Sequence, residues 1–458
     1  MAYHRYSKYK DCDIPWVKEI PQDWLVTEVR NVFSKNDIKN EKLEENNLLT
    51  LSYGSIKRKS INTAGGLLPA SFDSYQILTK GMIVLRMLDL QNDKNSLRVG
   101  YVPERGIITS AYIGLDSKIE CDTKYFYYLL HFMDLIKHFY NRGGGVRQSI
   151  GFTDFRREKI IIPSTSEQTS IANFLDYKLE KINRFITKKK QLIELLAEQK
   201  AAIINKAVTK GINPNAKLKP SRIEWLGDIP EHWEVTKLSG LCAFVRGSSN
   251  FKKDELLSKG KYVALQYGKT YKVDEVDENF EFYINDEFFK ESQVVNYGDI
   301  IIISTSETIE DLGHSVFYNR TDLGLLGGEQ LLLKPNSKIV DGKYLCYSSK
   351  VFTKELQKYA TGVKVYRFNI NDLKTIYTTI PSIREQKEIV SYIDTESKRI
   401  DRTISTIEKE ITLVKEYKAA LISEAVTGKI DVRNFKIPET EKPLAMVAEE
   451  TINYKSPN

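Results

Sequence analysis

The sequence predicts an α/β (α+β) protein with a pseudo-twofold internal duplication: two globular mixed α/β domains joined by two long helices that form an antiparallel coiled coil. Three observations carry this. The phrase IPSTSEQTSIANFLDYKLEKI, from Ile162 to Ile182, returns as IPSIREQKEIVSYIDTESKRI from Ile380 to Ile400, an offset of 218 residues. At the same offset AAIINKAVTKGI, from Ala201, matches AALISEAVTGKI, from Ala419. Upstream of each, IPWVKEIPQDW (Ile14 to Trp24) matches IEWLGDIPEHW (Ile223 to Trp233) at an offset of 209, and these two stretches hold all four tryptophans. Repeats of this length decide architecture ahead of local propensity.

The elements follow in order. Residues 1–163 form the first domain, 164–213 the first long helix, 214–381 the second domain, 382–430 the second long helix and 431–458 a polar tail. The two domain interiors read as short β-rich runs with glycine turns, as in KGMIVLRM, YGDIIIIST and GGEQLLLKP. They diverge from each other, with LSYG (Leu51 to Gly54) beside LQYG (Leu265 to Gly268) as a faint echo of one architecture under changed surfaces. Each interior closes on an Ile-Pro. Ser164 or Ser382 then caps a helix, with Glu167 or Glu385 three residues on, and no further proline occurs before Pro214 or Pro438.

Within the first helix Leu175, Leu179, Ile182, Ile186, Lys189, Ile193, Leu196, Lys200, Ile203 and Ala207 step alternately by four and three. The second helix repeats those steps with Ile393, Ser397, Ile400, Ile404, Ile407, Ile411, Val414, Lys418, Leu421 and Ala425. This is a heptad seam. About 43 helical residues make a rod on the order of 65 Å, and a rod with one apolar stripe needs a partner. The other copy supplies a matching stripe, antiparallel because each helix leads away from its own domain. Two separate helices, each packed on a globular domain, are the alternative. Lys200 and Lys418 hold equivalent seam positions, where they set register or simply snorkel.

Bulk properties limit the function. A chain of 458 residues exceeds one ordinary core, and 41% hydrophobic with 28% charged residues is a soluble composition. No apolar run reaches membrane-spanning length and the N-terminus is polar, so no membrane association and a cytoplasmic location are expected. Cys12, Cys121, Cys242 and Cys346 are far apart with no CxxC, which argues against a zinc site or a disulfide framework. The net charge of +7 suits either solubility or nucleic-acid binding.

No catalytic motif emerges. In the Walker-like YGKT at Tyr267 to Thr270, Val263 stands where the first glycine of a phosphate loop belongs. RGGGVRQ, from Arg142 to Gln148, lacks the spaced dinucleotide fingerprint, and neither a Gly-x-Ser-x-Gly elbow nor HExxH occurs. Glu198 and Glu385 lie beside lysines as solvated ion pairs. No metal or catalytic residue is expected. Five basic loops remain, combining cations with Gly, Ser, Asn, Gln and Tyr in the way that phosphate contact and base-edge readout require. In the first domain they place Lys57, Arg58 and Lys59, then Arg142, Arg147 and Gln148, on DNA. In the second they place Arg246, Ser248, Asn250 and Lys252, then Lys269 and Tyr271, then Lys364 and Arg367. Any one such loop could be merely solvated, but five across two duplicated domains point to double-stranded DNA.

The tryptophan-bearing IEWLGDIPEHWEV, the helix start with Ile-Pro and Glu-Gln, and the helix end AVTGKI resemble the specificity subunit of Type I restriction-modification systems. The match covers the repeated frames, roughly a third of the chain, in both copies and in order; the first copy departs only in AVTKGI. The resemblance implies two target recognition domains, each reading half of a split, asymmetric site, with the coiled coil fixing the unread gap; halves read on one face of the duplex want their centres about one helical turn, roughly 34 Å, or a little more apart. It further implies two methyltransferase subunits that bind S-adenosylmethionine and methylate adenine, and restriction subunits using ATP and magnesium. This chain itself would bind no cofactor. A stand-alone sequence-specific regulator and a coiled-coil protein scaffold are the competing classes; a scaffold would show no salt-dependent DNA binding.

Overall fold

Serine and proline at the head of each repeated phrase start the two longest helices of the computed structural model, which describes residues 3–61, 69, 71–91, 97–140 and 148–438. The first long helix is Thr165–Lys210 and the second Ile383–Val426. The capping box of the first helix forms: Ser164 Oγ accepts from Glu167 N at 3.4 Å, while Ser164 N donates to Glu167 Oε2 at 3.3 Å. Ser382 Oγ likewise accepts from Glu385 N at 3.3 Å. Gly211 and Gly428, both at φ +73°, turn the chain off the helix ends into the left-handed region. The transposition of AVTKGI and AVTGKI therefore moves the terminating glycine by one residue without changing its role.

The chain divides into two compact units, Met1–Lys189 with Lys409–Asn458, and Lys190–Glu408. In the first, strands Phe33–Lys35, Ile113–Ser117, Ile83–Leu85 and Val99–Tyr101 lie in that order in an antiparallel sheet. In the second, strands Cys242–Arg246, Gln330–Pro335, Ile300–Ile303 and Ser315–Tyr318 repeat the order, extended by Glu275–Val276 in parallel. The same architecture thus underlies both diverged interiors. The LSYG echo has two local outcomes. Tyr53 (φ 47°) and Gly54 (φ 75°) form a two-residue hairpin turn between Leu49–Ser52 and Ser55–Arg58, whereas Tyr267–Thr270 is one turn of helix.

The repeated frame explains the cores. Trp24 and Trp233 are fully buried, one in each unit. The Trp24 core includes Ile171, Phe174 and Leu175 from the start of the first long helix and Leu421, Ile422 and Val426 from the end of the second. The Trp233 core reverses this, with Ile204, Ala207 and Val208 from the end of the first and Ile389 and Ile393 from the start of the second. The helix ends thus pack on the domains, and between them the helices pair antiparallel within each unit. In the first unit Asn183 Oδ1 accepts from Lys418 Nζ at 2.8 Å and Lys189 Nζ meets Glu410 at 2.7 Å. In the second Lys200 Nζ meets both oxygens of Asp401 at 2.9 Å.

The seam positions are buried or half-buried: Leu175, Ile393, Ile400, Ile411 and Leu421 are inside, and Ile182, Ile186, Ile193, Leu196, Ile203, Ile404 and Val414 are half-covered by the facing helix. Seam lysines end in polar partners rather than in bulk water, and burial lowers the Lys418 ammonium below its usual range. Among the described residues no helix is long and apolar enough to cross a membrane.

Candidate nucleic-acid interface

The second unit brings two of the predicted loops to one place. Strand Cys242–Arg246 ends at the Gly247–Asn250 loop, and the hairpin Thr361–Arg367 folds over beside it; together they line a cleft of about 660 Å³ with Arg246, Ser248, Asn250 and Arg367 on its walls. Gly247 is required there, since a Cβ would lie 1.9 Å from Gly327 O. Buried Gln293 holds the loop, accepting from Ser248 N at 2.9 Å and donating to Arg246 O at 3.3 Å. Arg367 is held by its backbone, paired with Thr305 and exchanging two 2.9 Å bonds with Thr361. The polar side chains therefore project from a rigid backbone, as base-edge readout requires. Lys364 is exposed at the hairpin tip beside Val363, which is 93% exposed.

Other predicted residues lie elsewhere. Lys252 is exposed but does not line the cleft. Lys269 sits 4.3 Å from the centre of the Phe282 ring, in a separate depression with Lys272, and Tyr271 stacks on Tyr267. The YGKTYK loop is thus not assembled with the other two. In the first unit Lys57 and Lys59 are exposed and flank Arg58, which forms a bidentate pair with Glu104. Arg142 and Arg147 lie outside the described residues. Gln148 is half-buried at φ 38°.

The place of Gln148 in the fold matches the cleft. Ile150 N donates to Met87 O at 3.0 Å, and Phe368 N donates to Ser304 O at 3.2 Å, joining corresponding points of the two sheets. Gln148 and Ser149 thus stand where Tyr366 and Arg367 stand in the second unit. In the first unit the neighbouring loop is held by Arg98, whose fully buried guanidinium donates to Arg86 O, Leu88 O, Asp89 O and Tyr140 Oη.

Several residues that position these sites escaped the sequence reading. Gln168 accepts from Asp122 N at 2.9 Å and donates to Pro163 O at 2.9 Å; Gln386 accepts from Asp341 N at 2.7 Å and donates to Pro381 O and Ile339 O. Asp122 and Asp341 in turn cap helices Thr123–Leu135 and Gly342–Gln357. Asp176 takes Lys124 and Tyr128, and Asp394 takes Lys343 and Tyr347. The signal was a third repeat, Asp-x-Lys-Tyr-x-x-Tyr, at Asp122 to Tyr128 and Asp341 to Tyr347. Glu385 is not the solvated ion pair expected: it accepts from Trp233 Nε1 at 3.0 Å and His232 Nε2 at 2.9 Å, as Glu167 accepts from Trp24 Nε1 at 3.3 Å.

No cluster of His, Cys, Asp and Glu suited to a metal occurs among the described residues. The model of the Type I restriction modification DNA specificity domain matches residues 21–195 and 230–413. The Type I restriction enzyme MjaVIII specificity subunit of Methanocaldococcus jannaschii is 27% identical over 346 residues, covering 73% of this chain and 76% of its own length. The putative type I restriction enzyme MjaX specificity subunit of the same organism is 26% identical over 465 residues, covering 94% and 99%. A solved chain from work on complex assembly and conformational transition of the type I R-M system shares the fold at a TM-score of 0.65 and 14% identity, covering 90% of this chain and 99% of that one. With two matched copies spanning most of its length, the chain belongs to the Type I restriction-modification DNA specificity family.

Proposed function

We propose that each unit reads one half of a bipartite, asymmetric site in double-stranded DNA, and that the paired long helices set the unread gap between the halves. The observation that carries this is one frame written twice around different interiors: the same sheet order and helix clamps, with unlike loops where bases would be read. Duplicated frames offer equivalent docking places, which suits two identical methyltransferase subunits. Unlike interiors suit an asymmetric target. In the second unit Arg246, Ser248, Asn250 and Arg367 face DNA from the cleft, with Lys364 at its rim. In the first, Gln148 takes the corresponding place, Arg142 and Arg147, which lie outside the described residues, are assigned to the same half-site from the sequence alone, and Lys57, Arg58 and Lys59 contact phosphates. Lys252, Lys269 and Tyr271 stand outside the cleft, where only backbone contact remains open to them.

The chain contributes recognition and no catalysis. S-adenosylmethionine would be held by the methyltransferase subunits, and ATP with magnesium by restriction subunits in the full complex. The test is modification mapping: the chain is co-expressed with the methyltransferase subunit of its system and host DNA is sequenced for methyladenine. One bipartite motif with a fixed gap, lost when the chain is omitted, is expected. Absence of such a motif, with the methyltransferase shown active beside another specificity subunit, overturns the reading.

A further inference from the structure

The cleft of the second unit contains one group out of keeping with phosphate binding. Glu329 lies on its wall, a carboxylate where the surrounding groups are Arg246, Arg367 and neutral donors. Its backbone is left-handed, at φ 62°, a conformation that an L residue other than glycine adopts at a cost, while the two residues before it, Gly327 and Gly328, are glycines. The loop has no freedom to relax this. Gly328 N donates to Ser249 O at 2.8 Å and Ser304 N to Glu329 O at 3.3 Å. Gln330, buried, donates to Leu265 O at 2.7 Å. A strained, clamped position occupied by a charged residue, in a loop that already uses glycine, marks a side chain kept for what it touches.

What it faces is Arg367. The guanidinium Nη2 lies 4.0 Å from Glu329 Oε2, with Arg367 on strand Tyr366–Arg367 and Glu329 in the turn before strand Gln330–Pro335, so a donor fork and an acceptor stand side by side at the cleft. The same cleft is lined by two buried residues with polar atoms that lack a hydrogen-bond partner among the described residues, Ser249 Oγ and Gln330 Oε1. The major-groove edge of a guanine·cytosine pair presents two acceptors, guanine N7 and O6, next to one donor, the cytosine N4 amino group. Arginine is the complement of the first two and a carboxylate of the third. Against adenine·thymine the same pair sets the guanidinium on the adenine amino donor and the carboxylate on the thymine O4 acceptor, two repulsive contacts.

We propose that Glu329 and Arg367 together select a guanine·cytosine pair in the half-site read by the second unit, Arg367 on guanine and Glu329 on cytosine N4. This rests on the cleft being the DNA face. Were Glu329 only a brace for Arg367, its removal would weaken binding without changing which bases are accepted. The test is modification mapping with the wild-type chain, Glu329→Gln and Glu329→Gly, each co-expressed with the methyltransferase subunit. The wild type is expected to give a bipartite motif with a fixed guanine·cytosine pair in one half. Both variants make that one position degenerate, with preference falling about ten-fold or more, while the other positions and the gap stay fixed. Glu329→Gly also relieves the left-handed backbone, so its thermal midpoint stays at or above that of the wild type. Variants that keep every motif position, or a wild-type motif with no fixed guanine·cytosine pair, overturn the proposal. A wild-type chain that directs no bipartite methylation instead overturns the DNA-reading assignment beneath it.

Discussion

Replacing Gln386 with leucine tests how the repeated phrase holds each domain to its helix. The side chain is fully buried, and leucine preserves most of its volume. Its amide makes three bonds to backbone groups: from Asp341 N at 2.7 Å, to Pro381 O at 2.9 Å and to Ile339 O at 3.1 Å. Each group left without a partner costs about 1 kcal/mol, so Gln386→Leu should destabilise the second unit by about 3 kcal/mol. Gln168 makes the two equivalent bonds to Asp122 N and Pro163 O, so Gln168→Leu should cost the first unit about 2 kcal/mol. Two units need not unfold together, so hydrogen exchange read peptide by peptide is the proper assay. Amides at the start of helix Gly342–Gln357 should exchange about a hundred-fold faster in Gln386→Leu, with helix Thr123–Leu135 unchanged. Gln386→Glu, which keeps an acceptor for Asp341 N but sets a buried carboxylate against Pro381 O and Ile339 O, should cost at least as much. Protection unchanged within ten-fold at Asp341 to Tyr344, or equal effects in both units, would refute the clamp.

Three further outcomes are expected. Burial, and then the charge of Lys418, depresses the His131 imidazole to about 4 from an ordinary 6.5, so below pH 6.5 the unfolded chain takes up a proton that the folded first unit refuses. Stability of that unit should thus fall by about 3 kcal/mol between pH 6.5 and 4 and recover as pH rises, a dependence that His131→Phe removes in urea melts across that range. At the helix ends, alanine at Gly211 or Gly428 forces a left-handed backbone worth about 1–2 kcal/mol. Gly428→Ala should cost more, because its Cβ meets Pro21 at 2.5 Å whereas that of Gly211 meets Trp233 at 3.2 Å; melting midpoints of the two variants read the difference. On DNA, Lys364→Ala should lower the logarithmic salt slope of binding by about 0.9 with specificity intact, while Arg367→Ala should relax specificity, as titrations of cognate and altered duplexes at several salt concentrations would show.

The frame was legible in the sequence because duplication shows the same physical problem solved twice: a 4–3 apolar rhythm, a capping serine, a glycine stop. The third repeat was harder to see, since Asp122, Lys124, Tyr125 and Tyr128 recur at an offset of 219, one residue out of step with the helix phrase. Cleft support was not legible at all. Gln293 acts through backbone groups 45 and 47 residues away, and buried Arg98 through carbonyls 9 to 12 residues before it, and nothing in their neighbourhoods announces either. Composition identified the loops rich in arginine and glycine but could not tell which way a side chain turns, so Lys269, covering Phe282, read the same as Arg367 in the cleft. Glu329 was not legible either, because nothing in the sequence reveals its left-handed backbone.

The division into Met1–Lys189 with Lys409–Asn458, and Lys190–Glu408, also bears on synthesis at the ribosome. The Trp233 core is one uninterrupted run of chain and can close while the remainder is still being translated. The Trp24 core, made first, lacks Leu421, Ile422 and Val426 until the last stretch emerges, so its apolar face waits through more than two hundred residues of elongation. The half born first is therefore the half completed last.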